Sequence, residues 1–82
     1  MNMKYIRFID GTFVLFSASL SHETVARRMH GLDDPVEYMV ESAGFIGYWQ
    51  DEICCHGESI SLHKRSLPED TELLRLQIYP HL

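Results

Sequence analysis

Apolar and polar residues alternate at the start of the chain in a pattern that predicts a β-hairpin. Segments 4–9 and 12–17 are rich in strand-favouring residues, and Asp10-Gly11 between them is typical of a two-residue type I′ turn. Such a turn pairs Phe8 with Phe13 and Ile6 with Leu15. The alternation then predicts a core face and a second, half-apolar face. The core face comprises Ile6, Phe8, Phe13 and Leu15, and the second comprises Tyr5, Arg7, Val14 and Phe16.

Two short helices are predicted to follow this hairpin. Ser21 is a favourable N-cap for a helix over 22–30, whose Val25 and Met29 are expected to face the sheet. Asp34 can cap a second, shorter helix that ends near residue 44, although the same segment also fits an ordered loop. The apolar stripe of that second helix would consist of Val36, Met39 and Val40.

The second half of the chain is predicted to form another hairpin, followed by a C-terminal helix or strand. Segments 45–50 and 53–62 are expected to be strands joined by a turn at Asp51-Glu52. The tail 67–79 fits two structures, because acidic residues at its start are typical of a helix while its apolar residues alternate as in a strand. We favour the helix. The apolar residues concerned are Leu74, Leu76 and Ile78.

Together these elements predict an α+β fold. Its antiparallel four-stranded sheet is built from two β-hairpins in the order ββ-α-(α)-ββ-α, with the helices on one face. The 82 residues are expected to form a single domain, 1–82.

Composition narrows the classes of protein that fit. No segment approaches the roughly 20 apolar residues of a membrane span, and charged residues such as Arg7 and Asp10 interrupt the start where a signal peptide needs an apolar run. The adjacent Cys54 and Cys55 fit a reducing compartment. We therefore expect a cytoplasmic protein with no membrane partner. The net charge of −5 disfavours unspecific binding to nucleic acid.

Candidate chemistry is sparse. Cys54 and His56 lie two positions apart, so on a strand they share a face and could contribute to a metal site, with His22 or His30 as further donors. A second ligand pair with zinc-site spacing is missing, however. Paired carboxylates occur where turns or helix starts are predicted, and capping accounts for them. The sequence therefore predicts no catalytic residues, no resident metal and no cofactor.

The remaining signal is a surface for a partner. The segment 45–49 places aromatic residues on both sides of a strand, and exposed aromatic residues rimmed by charge are typical of binding surfaces. We expect Tyr48 and Trp49 to be the aromatic anchors. The second face of the first hairpin is either covered by the tail or left for a partner, including a second copy in a homodimer. The acidic candidates for contact with a basic partner are Asp33, Asp34, Glu37 and Glu41.

Three stretches, which cover under a quarter of the chain, resemble segments of small uncharacterised proteins encoded by bacteriophages and prophages. They are Ser42-Ala43-Gly44-Phe45, Gly57-Glu58-Ser59-Ile60-Ser61-Leu62 and Pro68-Glu69-Asp70-Thr71-Glu72-Leu73-Leu74. The resemblance implies an accessory protein that binds, and inhibits or redirects, a host protein, for example in anti-defence. We therefore expect a non-enzymatic protein-binding module. The alternative is a small metal- or nucleic-acid-binding regulator that uses Cys54, His56 and the basic segments Arg27-Arg28 and His63-Lys64-Arg65.

Overall fold

A computed structural model describes residues 3–30 and 36–78. The predicted α+β class and the four-stranded antiparallel sheet are confirmed, and the strands lie in the order β2-β1-β3-β4. The sheet strands are β1 (Met3–Phe8), β2 (Phe13–Ser17), β3 (Val40–Trp49) and β4 (Glu52–His56). The helices are α1 (His22–His30) and α2 (Asp70–Ile78), with a 3-10 turn at Val36–Met39. A small separate ribbon pairs β5 (Glu58–Ser59) with β6 (Lys64–Arg65).

The first hairpin is confirmed, but its predicted register is wrong by one residue. Tyr5 pairs with Leu15 and Ile6 with Val14. The loop has three residues rather than two, because the N–H of Gly11 bonds the C=O of Phe8 and Gly11 adopts a φ of +92°. This is a type I turn followed by a left-handed residue, a combination that only glycine accommodates at low cost.

The observed register places each side chain of β2 on the face of the sheet opposite to the predicted one. Val14 and Phe16 pack with Ile6 against α1, while Phe13 packs beside Tyr5 on the opposite side of the sheet. A one-residue change of register moves every side chain of a strand to the other face. The predicted core set of Ile6, Phe8, Phe13 and Leu15 is therefore wrong for its two β2 members.

The second hairpin is also confirmed, with a turn one residue earlier than predicted. Trp49 pairs with Glu52, so Gln50 and Asp51 form the two-residue loop. Both loop residues have positive φ, as a type I′ turn requires. The later strand ends at His56 instead of continuing to residue 62, because Gly57 takes a φ of +80° and turns the chain away.

The predicted second helix is wrong beyond its first turn. Val36–Met39 forms one 3-10 turn, and Val40 already begins β3. Residues 40 to 46 of β3 pair with β1, and these long-range main-chain hydrogen bonds replace the helix. The capping residue proposed for that helix, Asp34, lies outside the described residues.

The helices lie on opposite faces of the sheet, which corrects the prediction that they share one. Val25 and Ala26 of α1 pack with Ile6 and Phe8. Leu74 of α2 packs with Tyr5, which points the other way from β1. The tail is thus a helix, as favoured, and it covers the second face at Tyr5.

Helix α1 begins where the sequence predicts. The Ser21 hydroxyl accepts a 3.1 Å hydrogen bond from the N–H of Thr24, which is the N-cap interaction. Val25 faces the core as expected, but Met29 is 55% exposed. Ala26 and His22 fill the buried positions instead, so the contact stripe of α1 begins at its first residue.

Candidate interaction surface

Tyr48 and Trp49, the predicted aromatic anchors, lie at the tip of the β3–β4 hairpin. Their side chains are 74% and 70% exposed. The two-residue turn at Gln50-Asp51 follows directly, so the pair sits on a short loop held by the β3–β4 ladder. Large aromatic side chains with this exposure contribute little to folding, and an adjacent pair at a hairpin tip is available for contact.

The two aromatic side chains project from opposite faces of the hairpin. Tyr48 pairs with Ile53 on the α2 side of the sheet, whereas Trp49 pairs with Glu52 on the α1 side. A flat partner surface laid on one face would therefore reach only one ring. A partner that contacts both rings must approach the tip end-on.

Two acidic residues adjoin this pair and complete the tip. Asp51 is exposed in the turn, and Glu52 lies opposite Trp49. Glu52 forms a 3.2 Å ion pair with Arg75 of α2. From the sequence, Asp51 and Glu52 were predicted only to form a turn, although their position two and three residues after Trp49 indicated that they border the aromatic residues. We define Tyr48, Trp49, Asp51 and Glu52 as the hairpin tip.

Of the acidic residues predicted to meet a basic partner, the two that the structure describes, Glu37 and Glu41, do not join the hairpin tip. Glu41 is exposed near the start of β3 and lies 3.8 Å from Arg7 in an ion pair. Trp49 ends the same strand eight residues later, which is about 26 Å at the usual rise per residue. Glu37 is half-buried in the 3-10 turn. Asp33 and Asp34 lie outside the described residues.

A third exposed aromatic residue was not predicted from the sequence. Tyr38 in the 3-10 turn is 74% exposed, as Tyr48 is. Its neighbour Met39 accepts a hydrogen bond at its C=O from the N–H of Ile9, and Ile9 is itself 58% exposed. The apolar stripe predicted for this segment comprised Val36, Met39 and Val40 and did not include Tyr38.

Cys54 and His56 share the α1 face of β4, as predicted for strand residues two apart. His56 stacks on the ring of Phe45 at 6.1 Å between centroids. His22, suggested as a further donor, bonds the C=O of Gly44 through its Nε2–H at 2.8 Å. Across residues 3–30 and 36–78, no three His, Cys, Asp or Glu side chains are grouped to hold a metal ion.

The neighbouring Cys55 is half-buried on the α2 side of the sheet, near Asp70. Burial, together with the charge of Asp70, raises the pKa of the Cys55 thiol to about 11. The thiol is therefore protonated at neutral pH and is a poor nucleophile. The N–H of Cys55 donates a 2.9 Å hydrogen bond to the hydroxyl of Thr71, which joins β4 to α2.

A cavity of about 510 Å³ opens on the α1 side of the sheet. Its walls include Lys4, His22, Phe45 and Ile60. The Lys4 ammonium donates to the C=O of Leu20 and lies over the Phe45 ring, and His22 is bonded to Gly44. Lys4 and His22 are thus bonded to main-chain carbonyl groups of the fold, and these two side chains are not free to bind a ligand in the cavity.

In the part of the chain that the structure describes, no helix is long and apolar enough to span a membrane; α1 and α2 have nine residues each. Neither a family model, nor a curated protein, nor a solved structure matches the chain.

Proposed function

We propose that the chain is a non-enzymatic protein-binding module whose contact surface is the hairpin tip. The observation that carries this proposal is the exposure of Tyr48 and Trp49, at 74% and 70%, beside a two-residue turn. Tyrosine and tryptophan dominate the energetics of protein interfaces because they bury a large area with few rotatable bonds. A short hairpin loop also limits the conformational entropy lost on binding.

The same geometry supports a partner of a particular shape. Because the two rings point to opposite faces, the partner needs a cleft that receives the tip end-on, with apolar walls for Tyr48 and Trp49. Asp51 and Glu52 would then meet basic groups at the rim of that cleft. In the phage or prophage context that the resemblance implies, the partner is a host protein, and occupation of its cleft inhibits or redirects it.

The test is comparative capture of proteins from a bacterial lysate, quantified by mass spectrometry. Wild-type protein is compared with the Tyr48→Ala and Trp49→Ala variants. The matched control is Tyr38→Ala, which removes a tyrosine of identical exposure at another position. A specific partner should be retained by wild type and by Tyr38→Ala and lost with both tip variants.

The expected loss per tip residue is about 2 kcal/mol or more, which is about thirtyfold in Kd. Thermal melts must show that the tip variants remain folded, since a loss that follows unfolding would make both residues structural. If every captured protein is retained equally by the tip variants and the control, the hairpin tip is not the contact surface.

Trp49 also provides a direct signal, because it is the only tryptophan of the chain. In the free protein its fluorescence should have the red-shifted emission of a solvated indole and should be quenched readily by acrylamide. Addition of the captured partner, purified, should shift the emission to the blue and protect it from quenching. Unchanged emission on a demonstrated complex would place the contact elsewhere on the molecule.

A further inference from the structure

Strand β2 forms an outer edge of the sheet, and three of its five residues direct their main-chain groups outward. The N–H of Phe8 bonds the C=O of Thr12 at the start of the ladder. Antiparallel pairs alternate between hydrogen-bonded and non-bonded positions. It follows from the register that Phe13, Leu15 and Ser17 direct their N–H and C=O groups away from β1.

These outward groups are largely free. Among the described residues, the main-chain N–H and C=O of Phe13 and Leu15 have no hydrogen-bond partner beyond the sheet. The C=O of Ser17 accepts a 3.1 Å bond from the N–H of Leu20 and retains a second lone pair. The β2 edge is thus ready to pair with another strand.

By contrast, the opposite edge of the sheet, at β4, is covered by α2. In β4, Ile53 and Cys55 occupy the outward-pointing positions of the ladder. The Arg75 Nε–H donates to the C=O of Ile53 at 2.9 Å, and the N–H of Cys55 bonds Thr71. Side chains of α2 therefore block strand pairing at β4, while β2 carries no such protection.

The charge pattern around β2 favours a second copy of the same chain as its occupant. The chain has 12 acidic and 7 basic residues, yet none lies between Gly11 and Ser21. Natural edge strands usually carry charges or prolines that prevent self-pairing. In a protein of net charge −5, an uncharged edge is the position where two copies meet with least repulsion.

We propose that two copies of this chain associate through β2. The strands pair antiparallel about a two-fold axis at Leu15, which joins the two four-stranded sheets into one. In this register Leu15 pairs with Leu15 of the second copy, and Phe13 pairs with Ser17 of the second copy. Every outward N–H and C=O of the three residues gains a partner, because all three occupy equivalent positions of the ladder. Leu15, which is 37% exposed, becomes covered.

Sedimentation velocity over a concentration series tests this association. Wild-type protein should be a dimer, and Leu15→Lys should be a monomer at the same concentrations, because two lysines would then face each other across the axis. The control is Leu76→Lys, which adds the same charge at an exposed leucine of α2 and should remain dimeric. A monomeric wild type, or a dimer that dissociates in Leu76→Lys but not in Leu15→Lys, would overturn the proposal.

Amide hydrogen exchange of the wild type provides an independent measurement that requires no variant. The N–H groups of Phe13, Leu15 and Ser17 should be protected at high concentration and exchange rapidly on dilution. The N–H groups of Val14 and Phe16, which bond β1, should be protected at both concentrations. Self-pairing would be contradicted if the protein has the mass of a monomer and its Leu15 amide is unprotected. It would also be contradicted if that amide becomes protected only when a different strand-forming peptide is added.

Discussion

The phenolic hydroxyl of Tyr5 donates a 2.5 Å hydrogen bond to Oδ2 of Asp70, 65 positions later in the chain. Both side chains are fully buried, and the bond joins the middle of β1 to the first residue of α2. Burial, reinforced by the Asp70 carboxylate, raises the pKa of Tyr5 far above its usual range, so the phenol remains a donor. The same Oδ2 accepts the N–H of Leu67 at 2.9 Å.

Asp70 also balances a buried positive charge. Its Oδ1 lies 3.3 Å from Nε of Arg7, although without hydrogen-bond alignment, and the Arg7 side chain is 9% exposed. A buried arginine without a carboxylate partner is strongly unfavourable. The contacts of Asp70 with Tyr5 and Arg7 therefore explain why α2 packs on the Tyr5 face of the sheet. Cys55 and Thr71 lie next to these three residues.

Removal of the Asp70 carboxylate should destabilise the fold severely. Asp70→Ala removes the only fully buried carboxylate that contacts Arg7 among the described residues and should lower the free energy of unfolding by about 3–5 kcal/mol, measured by urea denaturation. Tyr5→Phe removes only the donor and should cost about 1–3 kcal/mol. Glu69→Gln is the control, because Glu69 contacts Arg7 at 3.3 Å but is half exposed and should cost under about 1 kcal/mol. Equal effects of Asp70→Ala and Glu69→Gln would contradict this account.

His22 should make stability depend on pH. Its side chain is 3% exposed and its Nε2–H bonds Gly44. Burial lowers the pKa of His22 below its ordinary value of 6.5, the charge of Lys4 acts in the same direction, and the Gly44 carbonyl opposes them in part. The unfolded chain therefore takes up a proton at a higher pH than the folded chain does.

The sign of the pH effect follows from this difference. The contribution of His22 to stability is complete above pH 6.5 and is lost as the pH falls from 6.5 towards the lower pKa of the folded state. The slope is at most about 1.4 kcal/mol per pH unit. Urea denaturation at about pH 7.5 and about pH 5.5 measures it. His22→Gln keeps an amide donor near Gly44, and its free energy of unfolding should vary less with pH. Equal pH slopes in the wild type and the variant would contradict the assignment to His22.

Gly44 should tolerate no side chain, in contrast to Gly47 three residues later. A Cβ at Gly44 would collide with the main-chain oxygen of His56 and lie 3.3 Å from the ring of Tyr5. At Gly47 the nearest atom is the His56 imidazole, 3.0 Å away, and that side chain can move. Thermal denaturation should show that Gly44→Ala costs about 3 kcal/mol and Gly47→Ala under about 1 kcal/mol. The reverse order would mean that the β3–β4 spacing is not fixed by Gly44.

The local signals of the sequence were sufficient to predict the first hairpin, α1 and α2, but not the register of the hairpin. The N-cap at Ser21 and the acidic start of α2 depend on neighbouring residues, and both helices form. Asp10-Gly11 suits either a two-residue or a three-residue loop, and only packing of Phe16 against α1 decides between them. The choice reverses the faces of β2, which no local pattern resolves.

Long-range partners account for the remaining differences. Residues 36–40 carry helix-like apolar spacing, yet the pairing of residues 40–46 with β1 makes the later part of the predicted helix a strand. The docking of α2 depends on Tyr5 and Asp70, which are not recognisable as partners in the sequence because each is an ordinary member of its own element. The exposure of Tyr48 and Trp49 was foreseeable, since a hairpin tip has little structure to cover it. Their role in binding remains a prediction.

The turn of the hairpin tip carries conformational strain that can be relieved. Gln50 and Asp51 have φ values of 52° and 65°, a region that costs residues with a Cβ about 1 kcal/mol or more each. Type I′ turns favour Asn-Gly at these positions. Gln50→Asn with Asp51→Gly should therefore raise the free energy of unfolding by about 0.5–1.5 kcal/mol in urea denaturation. Glu52→Gly, one residue later in β4, should lower it, because Glu52 pairs with Trp49 and Arg75.

The same turn variants separate the contribution of charge from that of shape in partner capture. Gln50→Asn alone keeps every charge of the hairpin tip and stiffens it, so capture should be retained or strengthened. Asp51→Gly removes one carboxylate and should weaken capture if basic groups line the cleft, with a larger loss at low salt than at high salt. Equal capture by both variants at low salt would mean that Tyr48 and Trp49 bind without help from Asp51. Loss of capture with Gln50→Asn would contradict a preformed tip.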